Sequence, residues 1–459
     1  MKQILPGERE VTLNYDDDGL RTEAGDLTLT RDADHGRVRE TELAGNVPTT
    51  SGYNGFGELA SREASVDAST VYEASYSRDA AGRITEETST VESDTRERTY
   101  RYDDAGRLHK VLNDGAVIHR YDYGPNGNRI GHVGPDGTTT GAYDDQDRLT
   151  RYGDTDYSYN TAGDLKKAEG PDGTTTYQYD AQNNLRSVEL PSGKQIDYVI
   201  DGRNRRVGKK VDGTLEKARL YKDQLNPLAQ LDGAGNVTHR FIYGAKANVP
   251  AYMVKDGTTY RIVSDHLGSV RLVINTATGE IAQRLDYSPF GKVTTDTNPG
   301  FQPFGFAGGL YDPDTELVRF GARDYDPETG RWTTKDPIRF RGGTTNLYGY
   351  VFKDPINLTD LNGLCPDQDK ADRCIPRDDV IERLDEKLKD KAFEKVSSKI
   401  CKDVERCGDL KRNISDILDQ HPAQIKINPI SGPLVTRCAV KGIDAVCKRP
   451  NDKKVCSEK

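Results

Sequence analysis

The residue types suited to chemistry in this 459-residue chain gather near its end. All seven cysteines (Cys365, Cys374, Cys401, Cys407, Cys438, Cys447 and Cys456) fall in the last 95 residues. That density approaches a disulfide scaffold, and none of them makes the CxxC pair of a zinc ribbon. Oxidised, they would form up to three bridges, which spacing alone cannot pair; reduced, they would pack as small hydrophobes. His421 is the one histidine after residue 364. Beside Lys426 or Lys441 it suits general acid or base work in a metal-independent RNase, but a His before Pro422 equally suits a helix cap. The last 39 residues carry 8 Lys+Arg against 3 Asp+Glu, which fits a phosphate-rich target such as nucleic acid. Earlier, Asp265-His266 has the look of a metal-ligand pair. No second His or Cys stands at zinc spacing, so it reads as structural, and no metal or cofactor is expected. Residues 202–206 (GRNRR) form a basic cluster within a turn that is normally solvated.

The elements that must position these residues divide in one place. Residues 1–364 carry 44 Lys+Arg against 56 Asp+Glu, and residues 365–459 carry 21 against 18, so the two parts have opposite signs. Together with the cysteine distribution this marks a module boundary after Leu364. In the tail, Ile381, Leu384 and Leu388, then Phe393, Val396, Ile400 and Val404, then Leu410, Ile414 and Leu418 recur at helical spacing. They predict three amphipathic helices, and the alternation after Pro422 predicts two or three short strands. The expectation is a small cysteine-rich α+β domain over 365–459.

The first part repeats itself. YRYDDAGRL, RYDYGPNGNRI, AYDDQDRL, YSYNTAGDL, YQYDAQNNL and YVIDGRNRRV have anchors at Tyr102, Tyr121, Tyr143, Tyr159, Tyr179 and Ile200, spaced 19, 22, 16, 20 and 21 apart. Weaker copies stand at Tyr15, Tyr53 and Tyr76. Such a period suits a strand, a turn built from Asp, Asn and Gly, and a second strand. A lone hairpin cannot bury its apolar face, so the units must stack edge to edge into a sheet that curls. With 24 Tyr against 10 Phe, half-polar rings on pleated surfaces replace helical stripes, and an all-helical protein is excluded. The tyrosines read as packing, and the repeats as wall without a catalytic centre. No run of 18 apolar residues and no secretory leader is legible.

These units resemble the RHS or YD-repeat family, and the resemblance sharpens downstream. DHLGSVR, LDYSPFG, FGFAGGLYDPDTELVRFGARDYDPETGRW, TTKDPIRF and NLYGYVFKDPINLTDLNGL follow one another as in an RHS-associated core. The implied organisation is repeats over 1–260, a core over 261–364 and a variable tail over 365–459. The resemblance implies a mostly β, cocoon-like sheet, as in the C components of insecticidal toxin complexes and in teneurins. It further implies an intramolecular aspartyl protease that cuts after the Leu of a second DPxGL-like motif. Carried over residue by residue, the dyad is Asp336 and Asp360 and the cut falls between Leu364 and Cys365. Cys365, the new N-terminus, is then the natural unpaired thiol. Arg339-Phe340 replaces Gly-Leu in the first motif and Leu361 replaces Pro in the second. Two neighbouring carboxyls cannot both ionise cheaply: one keeps its proton and polarises a carbonyl while the other takes a proton from water. Asp354 competes as a partner, and Arg331 or Arg339 would equally hold these aspartates ionised.

Two function classes follow. One is the C-terminal part of a polymorphic toxin that encloses its own tail, releases it by autoproteolysis and uses it against competitor or host cells. That reading brings a cognate immunity protein and a secretion apparatus, type VI among them, engaged through a longer N-terminal region. The chain would be made in a bacterial cytoplasm without a Sec signal, act as a secreted or surface effector and deliver its tail into a target cell. The alternative is an adhesive YD-repeat surface protein with a structural, cysteine-rich tip.

Overall fold

The repeat unit is built around its turn. In the unit at Asp103, the carboxylate Oδ1 accepts the Ala105 and Arg107 N–H groups, both at 3.0 Å. Gly106 supplies the left-handed φ of 78° that closes the reversal. The Arg107 Nε donates to Asp103 Oδ2 at 2.7 Å, and its guanidinium lies 4.8 Å from the ring centroid of Tyr123 in the next unit. Tyr123 in turn donates its hydroxyl to the Leu108 carbonyl at 2.8 Å. The same chain of contacts recurs as Asp79, Arg83 and Tyr102, as Asp144, Arg148 and Tyr159, and as Asp201, Arg205 and Tyr221. Asp147 and Asn204 take the left-handed position where glycine is missing, at φ 60° and 59°. These four turns are thus locked by their own Asp and Arg and tied to the following hairpin by one tyrosine, whereas the turns at Asn160–Asp164 and Asp180–Asn184 close with an Asn in place of one partner.

Strung together, the hairpins make one antiparallel sheet of 29 strands in a computed structural model that describes residues 2–5, 9–43, 47–365, 438–440 and 443–445. Among the described residues each strand pairs with its neighbours in sequence, and the sheet does not close: there Lys2–Leu5 pairs with Arg9–Tyr15 alone, and Val293–Asp296 with Ile281–Tyr287 alone. The expected alternation holds, with Arg101, Ser158 and Gln178 exposed between more buried tyrosines. The sheet curls until distant strands meet. Arg21 donates to the Tyr243 carbonyl at 2.8 Å, and Arg284 pairs with Asp94 at 2.7 Å. Between the coils lie apolar clusters, one joining Leu13, Leu27 and Leu43 to Ile242 and Tyr252, another joining Tyr72, Tyr100 and Tyr121 to Leu272 and Phe290.

The meander passes residue 260 without a break and ends at Asp296. Residues 301–364 then leave the ladder and run across the repeats. Tyr198 donates to Asp312 at 2.7 Å, Tyr348 donates to the Gly163 carbonyl at 2.6 Å, and the Ile84 N–H reaches Asn357 at 2.8 Å. A four-stranded sheet in this segment, Leu310–Tyr311, Val318–Phe320, Arg323–Asp326 and Arg331–Trp332, packs Trp332, Tyr325, Phe320 and Tyr350 into one aromatic core.

The chain divides into two compact units, Met1–Pro376 and Arg377–Lys459. Of the second, the described residues are the antiparallel pair Cys438–Val440 and Ile443–Ala445. The three expected helices, His421 and Cys374, Cys401, Cys407, Cys447 and Cys456 lie outside the described residues. No described helix is long and apolar enough to cross a membrane.

Candidate functional site

Asp336, Asp360, Leu364 and Cys365 come together around a residue the sequence reading overlooked, Arg323. A hairpin positions it. Phe320 pairs with Arg323 across Gly321-Ala322, with Gly321 at φ 42°. The turn of the second motif docks on that hairpin, the Ala322 N–H donating to the Asn362 carbonyl at 2.9 Å. A Cβ on Gly363, whose φ is 69°, would stand 2.3 Å from the Phe320 carbonyl oxygen, so only glycine allows this approach. Arg323 is 2% exposed, and its Nη2 lies 3.2 Å from Oδ2 of both Asp336 and Asp360. Its Nε donates to the Gly363 carbonyl at 2.5 Å, and its guanidinium sits 4.1 Å from the Trp332 ring centroid.

The aspartates meet the chain differently. Asp336 accepts the Ile338 N–H on Oδ1 at 2.8 Å and precedes the short 3-10 helix Arg339–Gly342. Asp360 is 1% exposed, and its Oδ1 accepts the Leu364 N–H at 2.9 Å and the Cys365 N–H at 3.1 Å. Leu364 is buried against Ile338. A Cβ on Gly342 would lie 2.6 Å from Asp336 Oδ2 and 3.1 Å from the Leu364 carbonyl oxygen. The Leu364–Cys365 peptide is therefore bordered by Asp360 on its N–H side and by Asp336 near its carbonyl.

The two motifs share a left-handed residue at the fourth position despite their differing residues. Arg339 holds φ 54° where the second motif has Gly363 at φ 69°, so the position that resembles a family glycine keeps its left-handed turn. They differ at the final residue: Phe340 is 68% exposed, whereas Leu364 is 7% exposed.

Burial raises the Asp336 carboxyl to about 6, with Arg323 opposing and Asp360 adding to the rise. Asp360 is also raised, by burial against Arg323 and its amide donors. Burial lowers Arg323 in its turn, so all three groups are driven toward their neutral forms. One guanidinium neutralises one carboxylate, and the other carboxyl is best accommodated with its proton. Such a pair can divide a proton between donor and acceptor work.

The other expected partners lie elsewhere. Asp354 accepts from the Asn357 side chain at 2.8 Å, and that same amide donates to the Tyr102 hydroxyl at 2.8 Å. The Arg331 guanidinium sits about 5 Å from the ring centroids of Tyr143 and Tyr348. Cys365, expected to be the unpaired thiol, is disulfide-bonded. Asp265 Oδ1 is occupied by the Leu267, Gly268 and Ser269 N–H groups, and His266 Nε2 meets the Ile356 carbonyl at 2.7 Å. Within the GRNRR turn, expected to be solvated, Arg206 is buried and pairs with Asp324 at 2.7 Å.

A curled sheet of Asp-turned hairpins, crossed by a segment with buried ion pairs, defines an RHS/YD-repeat shell protein. Residues 2–356 match the Teneurin YD-shell family, and the chain belongs to it. Teneurin-4 of Mus musculus is 29% identical over 343 residues, covering 68% of this chain and 12% of the relative. Teneurin-3 of the same species is 30% identical over 341 residues with the same coverage, and teneurin-1 of Gallus gallus is 32% identical over 248 residues, covering 51% and 9%. The chain thus spans 12% or less of the length of these curated relatives. The crystal structure of TcdB2-TccC3-Cdc42 superposes with a TM-score of 0.58 at 17% identity, covering 79% of this chain and 21% of that one. The Photorhabdus luminescens Tc holotoxin pore with the mutation TccC3-D651A gives 0.57 at 16% identity, covering 80% and 21%. At these identities the likeness is one of fold. The family match stops at Ile356, short of Asp360 and Leu364.

Proposed function

We propose that this chain is part of a YD-repeat shell that hydrolyses its own Leu364–Cys365 bond and so detaches residues 365–459 as an effector. The observation that carries this reading is the acceptance of the Cys365 N–H by Asp360 Oδ1 at 3.1 Å, beside a second carboxyl on the same arginine. In the proposed reaction, protonated Asp336 donates a hydrogen bond to the Leu364 carbonyl. Ionised Asp360 takes a proton from water as its oxygen bonds to the Leu364 carbonyl carbon. Collapse breaks the C–N bond, and the proton held by Asp360 passes to the Cys365 nitrogen. The products are a Leu364 carboxylate and a Cys365 amine. Gly342 keeps the space beside Asp336 and the Leu364 carbonyl free of a side chain.

Reducing, denaturing electrophoresis of purified protein should resolve fragments of 364 and 95 residues, the smaller starting at Cys365. Asp336→Asn and Asp360→Asn should each leave the chain whole. A wild type that stays intact over days would refute the reading.

The detached tail acts on a target cell, and a metal-independent nuclease with His421 as acid or base is the activity we assign to it. The sequence supports this assignment through its basic last 39 residues and cysteines without zinc spacing. Expressing residues 365–459 in bacteria should arrest growth and degrade RNA, His421→Ala should relieve both, and chelator should change neither. Arrest with intact RNA and a collapsed membrane potential would instead indicate a pore. The proposed partners are the enclosed tail itself, an immunity protein and an export apparatus. A second reading, an adhesive surface shell with a structural tip, draws support from relatives that are teneurins. An uncut chain whose tail causes no arrest would favour it.

A further inference from the structure

A cavity of about 340 Å³ lies where the strands Val38–Leu43, Thr49–Tyr53 and Leu59–Val66 meet residues 245–264 of the later coil. Its lining includes Arg31, Arg37, Arg62, Lys246 and Arg261 and no Asp or Glu. Arg261 is 2% exposed; its guanidinium donates to the Thr41 and Thr49 hydroxyls and to the Ala251 carbonyl, and its Nε is buried with no acceptor. The Nε atoms of Arg31 and Arg62 are likewise buried without an acceptor. Among the described residues Lys246 Nζ donates to one acceptor, the main-chain carbonyl of Asp265. None of these five cations forms an ion pair among the described residues. Elsewhere in the shell the buried Arg206, Arg271, Arg319 and Arg323 each have an aspartate within 3.2 Å, and the buried Arg129 and Arg331 lie singly against aromatic rings; here several cations share one cavity.

Burying a cation such as Arg261 without a counter-ion is expensive, and the half-buried Arg31, Arg62 and Lys246 on the same cavity raise that cost, whereas Arg37 at its edge is exposed. Burial, with Arg62 nearby, pushes Arg261 down to about 9 and lowers Lys246 well below the usual lysine range, the Asp265 charge opposing the latter only in part. A bound anion removes the penalty, and the forked donors of several arginines suit an oxyanion with three free oxygens better than a lone carboxylate. The volume fits a small molecule. We propose that this cavity is a binding site for a phosphate- or sulfate-bearing small molecule, its anion seated among Arg62, Lys246 and Arg261.

Calorimetric titration of the full chain at physiological salt, with sodium pyrophosphate in one arm and a heparin-derived sulfated disaccharide in the other, tests this. Binding in at least one arm is expected, with a rise in the unfolding midpoint. Arg62→Ala and Lys246→Ala should each weaken it by about tenfold or more, and Arg151→Ala, a surface change elsewhere, should not. Binding in the first arm alone assigns a phosphate ester, and in the second alone a sulfated glycan. No binding in either arm at millimolar ligand, or equal weakening by Arg62→Ala and Arg151→Ala, overturns the proposal.

Discussion

Asp286 and Asp360 are equally inaccessible, each about 1% exposed, yet their acidities move in opposite directions. Burial would raise Asp286, but Arg271, Arg96 and Arg284, all within 3.2 Å, override it and hold the carboxyl below the usual range. Asp360 shares its single guanidinium with Asp336, and burial prevails in both. The deciding variable is the count of charges: three arginines around Asp286, two of them shared with Asp94, make a structural lock, and one cation to two carboxylates leaves a proton to be placed. A buried Asp–Arg contact in this shell therefore reads as wall or as chemistry only once its neighbours are counted.

The sharpest way to break that comparison is to remove the cation from each. Arg323→Met strands two buried carboxyls and should cost about 3–5 kcal/mol, the range for breaking a buried pair. Arg271→Met leaves Asp286 with two arginines and should cost less, about 1.5–3 kcal/mol. Urea unfolding read by the fluorescence of Trp332, the single tryptophan, measures both. Equal losses would sink the charge-count account.

Crowding the pair is the next test. Gly342→Ala inserts a methyl group 2.6 Å from Asp336 Oδ2, and the forced displacement should cost about 1–3 kcal/mol. If the aspartates cut the chain, it should also slow cleavage by about tenfold or more, as misplacing reacting groups does. Cleavage at the wild-type rate in a folded Gly342→Ala protein would detach Asp336 from the reaction.

Changing pH separates the two carboxyl environments. Asp336 is raised to about 6, so its contribution to stability is present below its unfolded value and is lost as pH rises through about 6. Asp286 is depressed, so its contribution is present above its unfolded value and is lost as pH falls. Each tenfold change in a carboxyl's acidity on folding corresponds to about 1.4 kcal/mol, which keeps the Asp336 effect within about 3 kcal/mol. Subtracting the unfolding midpoints of Asp336→Asn and of Asp286→Asn from wild type across pH 2 to 8 should give slopes of opposite sign, that of Asp336 between about pH 4 and 6 and that of Asp286 below about pH 4. Cleavage, needing one proton on the pair, should slow above about pH 6.

The smallest effect belongs to the repeat turns. The Asp103–Arg107 pair is 22% exposed on both sides, and Arg107→Ala should lower stability by only about 0.2–1 kcal/mol plus its contact with Tyr123. Asp103→Ala should cost somewhat more, because two turn N–H groups lose their acceptor. Thermal unfolding distinguishes them, and a larger loss in Arg107→Ala would show that coupling to the next hairpin outweighs the turn.

Much of this was legible in residue order because much of it is local. A hairpin places residues about ten apart in contact, so spacing and turn chemistry announced the repeats, the alternating tyrosines and the curling sheet, but not whether it closes. Asp336, Asp360 and Leu364 stood out only through motif order and resemblance. Arg323 carried no comparable signal: in FGARDYD it is one arginine among many, and the motifs drew attention instead to Arg331 and Arg339, which are nearer the aspartates in sequence. Its place depends on a hairpin at Gly321-Ala322 receiving a turn at Asn362-Gly363, some forty residues on. The basic cavity likewise needed coils some two hundred residues apart to meet, with Arg62 from one and Lys246 and Arg261 from the other. Local hydrogen bonding makes strand and turn readable one unit at a time, whereas the charge balance of a buried site is a sum over every group the fold brings near, and that sum exists only in three dimensions.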